Sequence, residues 1–292
     1  MKKLNHYVET LSEILKSEGK FRTARAYRLA QIRRYERWLV RRQLAMNTVS
    51  FYMRNLRAIY NRAVRANIVG KKRENPFSGV YTGIAKTVKR ALAEADVKRL
   101  SAVASNISSF QPALPALKQT EAEALLIFHF CLLAQGMSFA DAAFLKKKML
   151  RDKNIVYRRR KTGKDIIVFV NPDMQKIIDF FAARVPDSCY IFPIIGKSGE
   201  EDEYRQYCSA LSRQNRLLKT AGRKAGIARE FSSHAARHSW ASIARNLEIP
   251  LTIISAALGH SSERTTQIYL SQLETGQVSK ANMKIARFLK QK

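Results

Sequence analysis

The chain has 292 residues, the length of two domains of ordinary size. Lys and Arg total 53 against 23 Asp and Glu, a net charge of +30, and 46% of the residues are hydrophobic. That apolar fraction excludes wholesale disorder, and no uncharged apolar run is long enough for a membrane-spanning helix. Glu9 and Glu13 fall where a secretory leader needs an apolar stretch, so secretion is not expected. Cys131, Cys189 and Cys208 form neither a disulfide framework nor a zinc spacing, which fits a reducing cytoplasm.

A charge of +30 is costly in self-repulsion unless a polyanion is the normal partner. No segment has the strong apolar face of a membrane-surface helix, so nucleic acid leads. The excess is concentrated: residues 1–90 hold 22 Lys and Arg against 5 Asp and Glu, net +17. The expected organisation is a small cationic helical domain over 1–83, a linker over 84–90, and a larger, better balanced domain over 91–292. The expected location is the cytoplasm, at the nucleoid.

Tyr7, Leu11, Ile14 and Leu15 recur at helical spacing, and a second helix carries Tyr27 to Leu39 among Arg25, Arg28, Arg33, Arg34, Arg37, Arg41 and Arg42. A third helix opens near Asn47 or Thr48, both good N-caps, with Met53, Leu56, Ile59, Tyr60 and Ala63 on one side. Arg54, Arg57, Asn61 and Arg65 form a stripe along the other side, able to follow a phosphate backbone while the apolar side packs. Pro76, Gly79 and Gly83 break the pattern and make 71–90 the best linker candidate. A helix resumes over Ala91–Ala104, a Ser- and Pro-containing loop follows to residue 118, and a strongly apolar helix runs from about Thr120 to Gln135. Two β-prone runs flank Thr162-Gly163-Lys164, and Ile166, Val168 and Val170 alternate with Ile167 and Phe169, which predicts a hairpin. Helical pattern returns from Asn171, with breaks near Pro186–Gly199 and Gly222–Phe231. The expected fold class is mainly α with a small antiparallel β-sheet.

The most informative stretch runs from Ser232 to Leu270. Ser232 and Ser233 can cap a helix that begins at His234, which places His234 and Arg237 one turn apart on one face. Pro250 breaks the pattern, and Gly259 suits a helix C-terminus, leaving His260 in the turn and Tyr269 on a further helix. An Arg and two His can bind and neutralise a phosphodiester, and His can move protons near neutral pH. A Tyr hydroxyl becomes a nucleophile only where positive charge lowers its pKa.

His-x-x-Arg at His234 and Arg237, Leu-Gly-His at 258–260 and Tyr269 nine residues later resemble the tyrosine recombinase (phage integrase) family. The resemblance covers nearly the whole chain, with 1–80 similar to a helical, SAM-like core-binding domain and 90–292 to a catalytic domain. It implies a C-shaped clamp around DNA, and a mechanism in which tyrosine attacks a scissile phosphate, forms a 3′-phosphotyrosyl bond and frees a 5′-hydroxyl. The partner strand's 5′-hydroxyl reverses the step. No metal, nucleotide or other cofactor is implied. Carried over by motif, Tyr269 is the nucleophile, Arg237 clamps the non-bridging oxygens, His234 assists proton transfer and His260 hydrogen-bonds the phosphate. Lys161, before the hairpin turn, matches the acid that protonates the leaving 5′-oxygen, with Lys164 a weaker candidate that also serves as a DNA contact beside Arg33, Arg37, Arg54, Arg57 and Arg65. The implied partners are double-stranded DNA with paired recombination sites, a homotetramer on that DNA from a free monomer, and DNA-bending accessory proteins; no membrane is implied. With no arm-binding domain ahead of the core-binding one, the reading leans towards an invertase or simple resolvase-like recombinase. Val278, Ala281, Ile285 and Leu289 make an apolar stripe that fits a C-terminal helix docking in trans or packing in cis.

One departure is clear in the sequence. The family's first catalytic arginine is expected where this chain has Ser138, within Gln135-Gly136-Met137-Ser138-Phe139-Ala140-Asp141; Gln135 replaces an alternative arginine, and Asp141 matches the family's acid. Either another cation fills the place, Lys146 to Lys148 and Arg151 being near in sequence, or Gln135 and Ser138 suffice, or activity is reduced. The rival readings are a catalytically impaired DNA-binding relative, a basic RNA- or ribosome-associated protein, and a type IB topoisomerase-like relaxase.

Overall fold

In the computed structural model the described residues are 27–67, 75–85, 91–108, 117–196, 200–260 and 266. Tyr269, the apolar stripe of the tail and the pattern at Tyr7–Leu15 lie outside them. The chain divides into two compact units, Met1–Val88 and Lys89–Lys292.

In the first unit, α1 (Tyr27–Arg41) and α2 (Met46–Arg65) pack through Tyr35, Leu39, Val49, Met53 and Val80. Tyr35 stacks on Trp38 and Arg42 covers the other ring, so the cationic surface is continuous with the core. Two expectations for α2 are corrected. Its N-cap is Ala45, because the Asn47 amide is committed elsewhere: it donates to the Ala85 carbonyl at 2.9 Å and accepts the Ala85 N–H at 2.7 Å. Ile59, expected on the apolar side, is 42% exposed; six residues beyond Met53, it is turned about 240° round the helix axis. Residues 75–85, read as part of the linker candidate, fold back onto the helices. Phe77 and Val80 are buried, the Tyr81 N–H donates to Glu36 at 2.6 Å, and the Ser50 hydroxyl donates to the Gly83 carbonyl at 2.6 Å.

The second unit is built around α4 (Gln119–Leu133), which is apolar on all sides and buried from Ala124 to Leu132. Around it pack α3 (Glu94–Ser108), α6 (Pro172–Ala182), α7 (Glu200–Lys224) and α8 (Ala235–Asn246). Helix α3 starts three residues later than expected and extends through Ser108 into the stretch read as loop. The α4 N-terminus is fixed by Glu121, which accepts the Lys118 N–H at 2.9 Å and pairs with Lys224 at 2.7 Å. Short α5 (Phe139–Ala143) and a 3₁₀ turn lead into an antiparallel sheet of β1 (Leu150–Arg151), β2 (Asn154–Arg158) and β3 (Asp165–Phe169), in that order. Val156 opposes Ile167 and Tyr157 opposes Ile166, which turns Ile155, Tyr157, Ile166 and Val168 inward. This is the predicted hairpin, with the two-residue β1 added on its edge. Helix α9 (Leu251–Ala257) follows Pro250 and ends at Gly259, with φ +59°. Among the described residues, no helix is long and apolar enough to cross a membrane.

Candidate functional site

The site lies where the α9 C-terminus, the hairpin turn and the α8 N-terminus meet the turn between α4 and α5. That last turn bends at two successive left-handed residues, Gln135 (φ +56°) and Gly136 (φ +68°). Glycine is required at 136, since a Cβ would sit 3.1 Å from the Arg237 Cα. The close approach lets Arg237, 3% exposed, donate from Nη1 to the Gly136 carbonyl at 3.0 Å and from Nη2 to the Leu258 carbonyl. Helix α8 begins at Ala235, one residue later than expected, with His234 exposed at its N-cap and its ring edge-on to His238. The entry to α8 is held by Asn215, whose side-chain oxygen accepts the Ser233 N–H at 2.9 Å.

The hairpin closes on the same turn. Arg159 donates to the Gly259 carbonyl at 2.7 Å, Thr162 to that oxygen at 3.1 Å, and Lys164 Nζ to the His260 carbonyl at 2.6 Å. Three cations thus hold three consecutive backbone oxygens, 258 to 260. His260 is 7% exposed, and its Nδ1 lies 2.8 Å from the Thr266 hydroxyl. Burial, then the Arg237, Arg159, Lys161 and Lys164 cations, holds its imidazole down at about 4, so it is neutral at physiological pH. The structure therefore brings Arg237, His260, Lys161 and Lys164 into one electrostatic site, with His234 at the start of the helix that carries Arg237. Tyr269 lies outside the described residues.

The junction expected to carry the first arginine has a different use here. Ser138 caps α5, accepting the Asp141 N–H at 3.2 Å while its hydroxyl donates to Asp141 Oδ2 at 2.7 Å. The other Asp141 oxygen accepts the Arg160 N–H at 3.0 Å, tying this junction to the hairpin. Of the nearby cations, Lys148 is exposed and the other three are engaged elsewhere. Lys147 donates to the Val185 and Pro186 carbonyls beyond the α6 C-terminus, Lys146 lies over the Tyr190 ring, and Arg151 donates to the Lys148 carbonyl. Sequence reasoning missed Arg159. The signal was available: Ile155 and Tyr157 point inward along β2, and Arg159, one residue past its end, continues the same period of two on the buried face.

In the first unit Arg54 and Arg65 are exposed on α2, as the stripe requires, and Arg57 is half-buried with Nη1 3.3 Å from the Thr82 hydroxyl. Arg33 and Arg37 are exposed on α1, where Arg33 reaches the Ser78 carbonyl and Arg37 the Arg33 carbonyl. Among the described residues no cluster of His, Cys, Asp and Glu has the makings of a metal site.

The model of the phage integrase family matches residues 90–275, and that of the phage integrase SAM-like domain matches residues 3–80. The chain therefore belongs to the phage integrase family, whose members are tyrosine recombinases. The tyrosine recombinase XerD of Bradyrhizobium diazoefficiens is 29% identical over 234 residues, covering 75% of this chain and 70% of that one. The tyrosine recombinase XerA of Pyrococcus furiosus is 30% identical over 191 residues, 64% of this chain and 58% of that one. In fold, the chain resembles the XerH site-specific recombinase bound to a palindromic difH substrate, with a TM-score of 0.68 at 14% identity over 91% of this chain and 74% of that one. It also resembles the Tn1549 transposon integrase in complex with transposon right end DNA, with a TM-score of 0.63 at 16% identity over 97% and 93%.

Proposed function

We propose that the chain is a site-specific DNA recombinase that cuts and rejoins DNA through a 3′-phosphotyrosyl intermediate, carrying out integration, excision or inversion. The observation that carries this reading is the convergence of Arg237, Lys164 and a neutral, buried His260 on the turn before Tyr269. In this mechanism the Tyr269 oxygen attacks the scissile phosphorus as the bond to the 5′-oxygen breaks. His234 assists loss of the tyrosine proton, and Lys161 delivers a proton to the departing 5′-oxygen. Arg237 and the His260 ring meet the non-bridging oxygens, where negative charge develops. The partner strand's 5′-hydroxyl then attacks the phosphotyrosine, so one phosphodiester is remade for each one broken. Four protomers on two paired duplex sites, with DNA-bending accessory proteins, complete the reaction. The cationic face of α1 and α2 carries Arg33, Arg37, Arg54, Arg57 and Arg65 to the DNA backbone. The family's first arginine is absent, with Ser138 in its place.

Covalent trapping tests the reading. Nicked suicide duplexes made from the DNA flanking the gene are incubated with wild-type and Tyr269→Phe protein, and SDS-resistant protein–DNA bands are sought. The expected result is a band with wild type that is lost in Tyr269→Phe. Footprinted binding without any band overturns the enzyme reading in favour of an impaired DNA-binding relative, which Ser138 motivates. Relaxation of supercoiled DNA lacking paired sites would point instead to a topoisomerase-like relaxase.

A further inference from the structure

Arg159 is 6% exposed, and a buried guanidinium is costly unless paired. Among the described residues its hydrogen bond goes to a neutral group, the Gly259 carbonyl, which already receives the Thr162 hydroxyl. Its Nε is buried with no hydrogen-bond partner among the described residues, and no carboxylate among them pairs with it. A buried cation with an idle, directional donor is half of an anion site.

Its position says which anion. Arg159 and Arg237 hold neighbouring oxygens of one turn, and both guanidinia act electrostatically on the His260 ring and on Tyr157. Arg159 is fixed in place by the hairpin, its N–H donating to the Lys164 carbonyl at 2.7 Å and its own carbonyl accepting the Gly163 N–H at 2.8 Å. Meanwhile Ser138, Lys146, Lys147 and Arg151 have the other engagements described above.

We infer that Arg159 is a catalytic residue that supplies the second guanidinium of the phosphate clamp, donating to a non-bridging oxygen of the scissile phosphodiester opposite Arg237. This rests on the recombinase reading of the site. The α4–α5 junction then needs no arginine: the charge comes from the hairpin, two residues before Lys161, so one strand end carries both the clamp and the acid.

The test compares single-turnover cleavage of two suicide duplexes by the full chain, one with an ordinary scissile phosphate and one with a methylphosphonate there. In the second, a neutral methyl replaces one charged oxygen and leaves less charge to clamp. The variants are Arg159→Ala and Arg159→Gln; the second keeps an N–H donor for the Gly259 carbonyl and covers the case in which the first fails to fold. Expected is a loss of about 10²–10³-fold on the phosphate duplex, by analogy with loss of one oxyanion donor, with DNA binding retained and the loss largely erased on methylphosphonate. An equal loss on both duplexes overturns the inference and makes Arg159 a structural pin of the Gly259 turn. So does wild-type cleavage rate in Arg159→Gln. If wild type itself forms no adduct on the phosphate duplex, the recombinase reading fails and the clamp with it.

Discussion

Arg237 and Arg159 approach from different elements, the first turn of α8 and the end of β2, and donate to consecutive carbonyl oxygens, those of Leu258 and Gly259. Side by side, two buried cations repel; a shared turn of backbone acceptors is what lets them stand together. The turn depends on Gly259. Its φ of +59° disfavours other residues, and a Cβ there would lie 2.8 Å from Ile166 Cδ1 and 3.1 Å from Arg159 Cδ. Gly259→Ala is expected to cost about 1–3 kcal/mol of stability and to slow adduct formation by displacing Arg159. Urea denaturation and the trapping assay check both; an unchanged denaturation midpoint would show that the turn is not strained by a side chain.

Protonation of His129 is expected to limit stability in mild acid. It is 6% exposed on α4, and burial holds it down at about 4, with the Asp173 charge pulling the other way. The unfolded chain takes up this proton near the ordinary value of about 6.5. Between the two values the unfolded state therefore binds more protons. Stability is full above the unfolded value and declines as pH falls through this window. His260 acts in the same direction. Urea midpoints at pH 7.5 and 5.0 should differ less in His129→Leu than in wild type; equal differences would assign the pH dependence to other groups.

Gly222 is a packing glycine. A Cβ there would lie 2.5 Å from Phe231 Cε1, and Phe231 in turn packs on Phe128 of α4. Gly222→Ala is expected to destabilise by about 1–3 kcal/mol through overpacking, with part recovered in the Gly222→Ala, Phe231→Leu double variant. Thermal melts of the single and double variants decide it. A double variant no better than the single would locate the damage elsewhere.

Loss of the Ser138 hydroxyl in Ser138→Ala is expected to cost about 1 kcal/mol, since the α5 cap and one Asp141 partner are lost together. Asp141 holds the Arg160 N–H as well, so the same variant should loosen the hairpin. Faster amide exchange at Arg160 is the readout, with protection in α1 and α2 as the unaffected reference.

On the proposed reading, the exposed Arg54 and Arg65 belong to a phosphate-tracking surface. Arg54→Ala and Arg65→Ala should each weaken DNA binding about equally across sequences and lower the slope of log affinity against log salt by about one. A variant that relaxes sequence preference without changing the salt slope would make that arginine a base reader instead.

Much of the second unit is legible in the sequence because its signals are local. Thr162-Gly163 between alternating β-prone runs gives the hairpin, Pro250 and Gly259 bracket α9, and an apolar run as long as α4 has to be buried on every side. What is not legible depends on contacts distant in sequence. Asn47 reads as a cap because helix starts favour it; its amide is taken instead by the backbone of Ala85, a pairing that local propensity does not register. Lys146, Lys147 and Arg151 are near the first-arginine position along the chain, yet strand and helix geometry aims them at Tyr190, at Val185 and Pro186, and at Lys148. Arg159 sits in the run Arg158-Arg159-Arg160-Lys161, which reads as a solvated face. The period of two along β2 separates its buried member from the exposed ones on either side.

Held on 258, 259 and 260, the cations of the site rest on neutral oxygens of the protein's own backbone. Such acceptors are placeholders. They keep each donor aimed and hydrogen-bonded while the protein is alone, but they return less than an anion would, because charge-assisted bonds are roughly twice as strong as neutral ones. On the recombinase reading, an incoming phosphate competes for donors already in position, with little side-chain ordering left to be done at that moment. The stretch that yields those donors is the one that leads to residue 269. On the proposed reading, the carbonyls of this single turn set the threshold that a phosphate has to exceed.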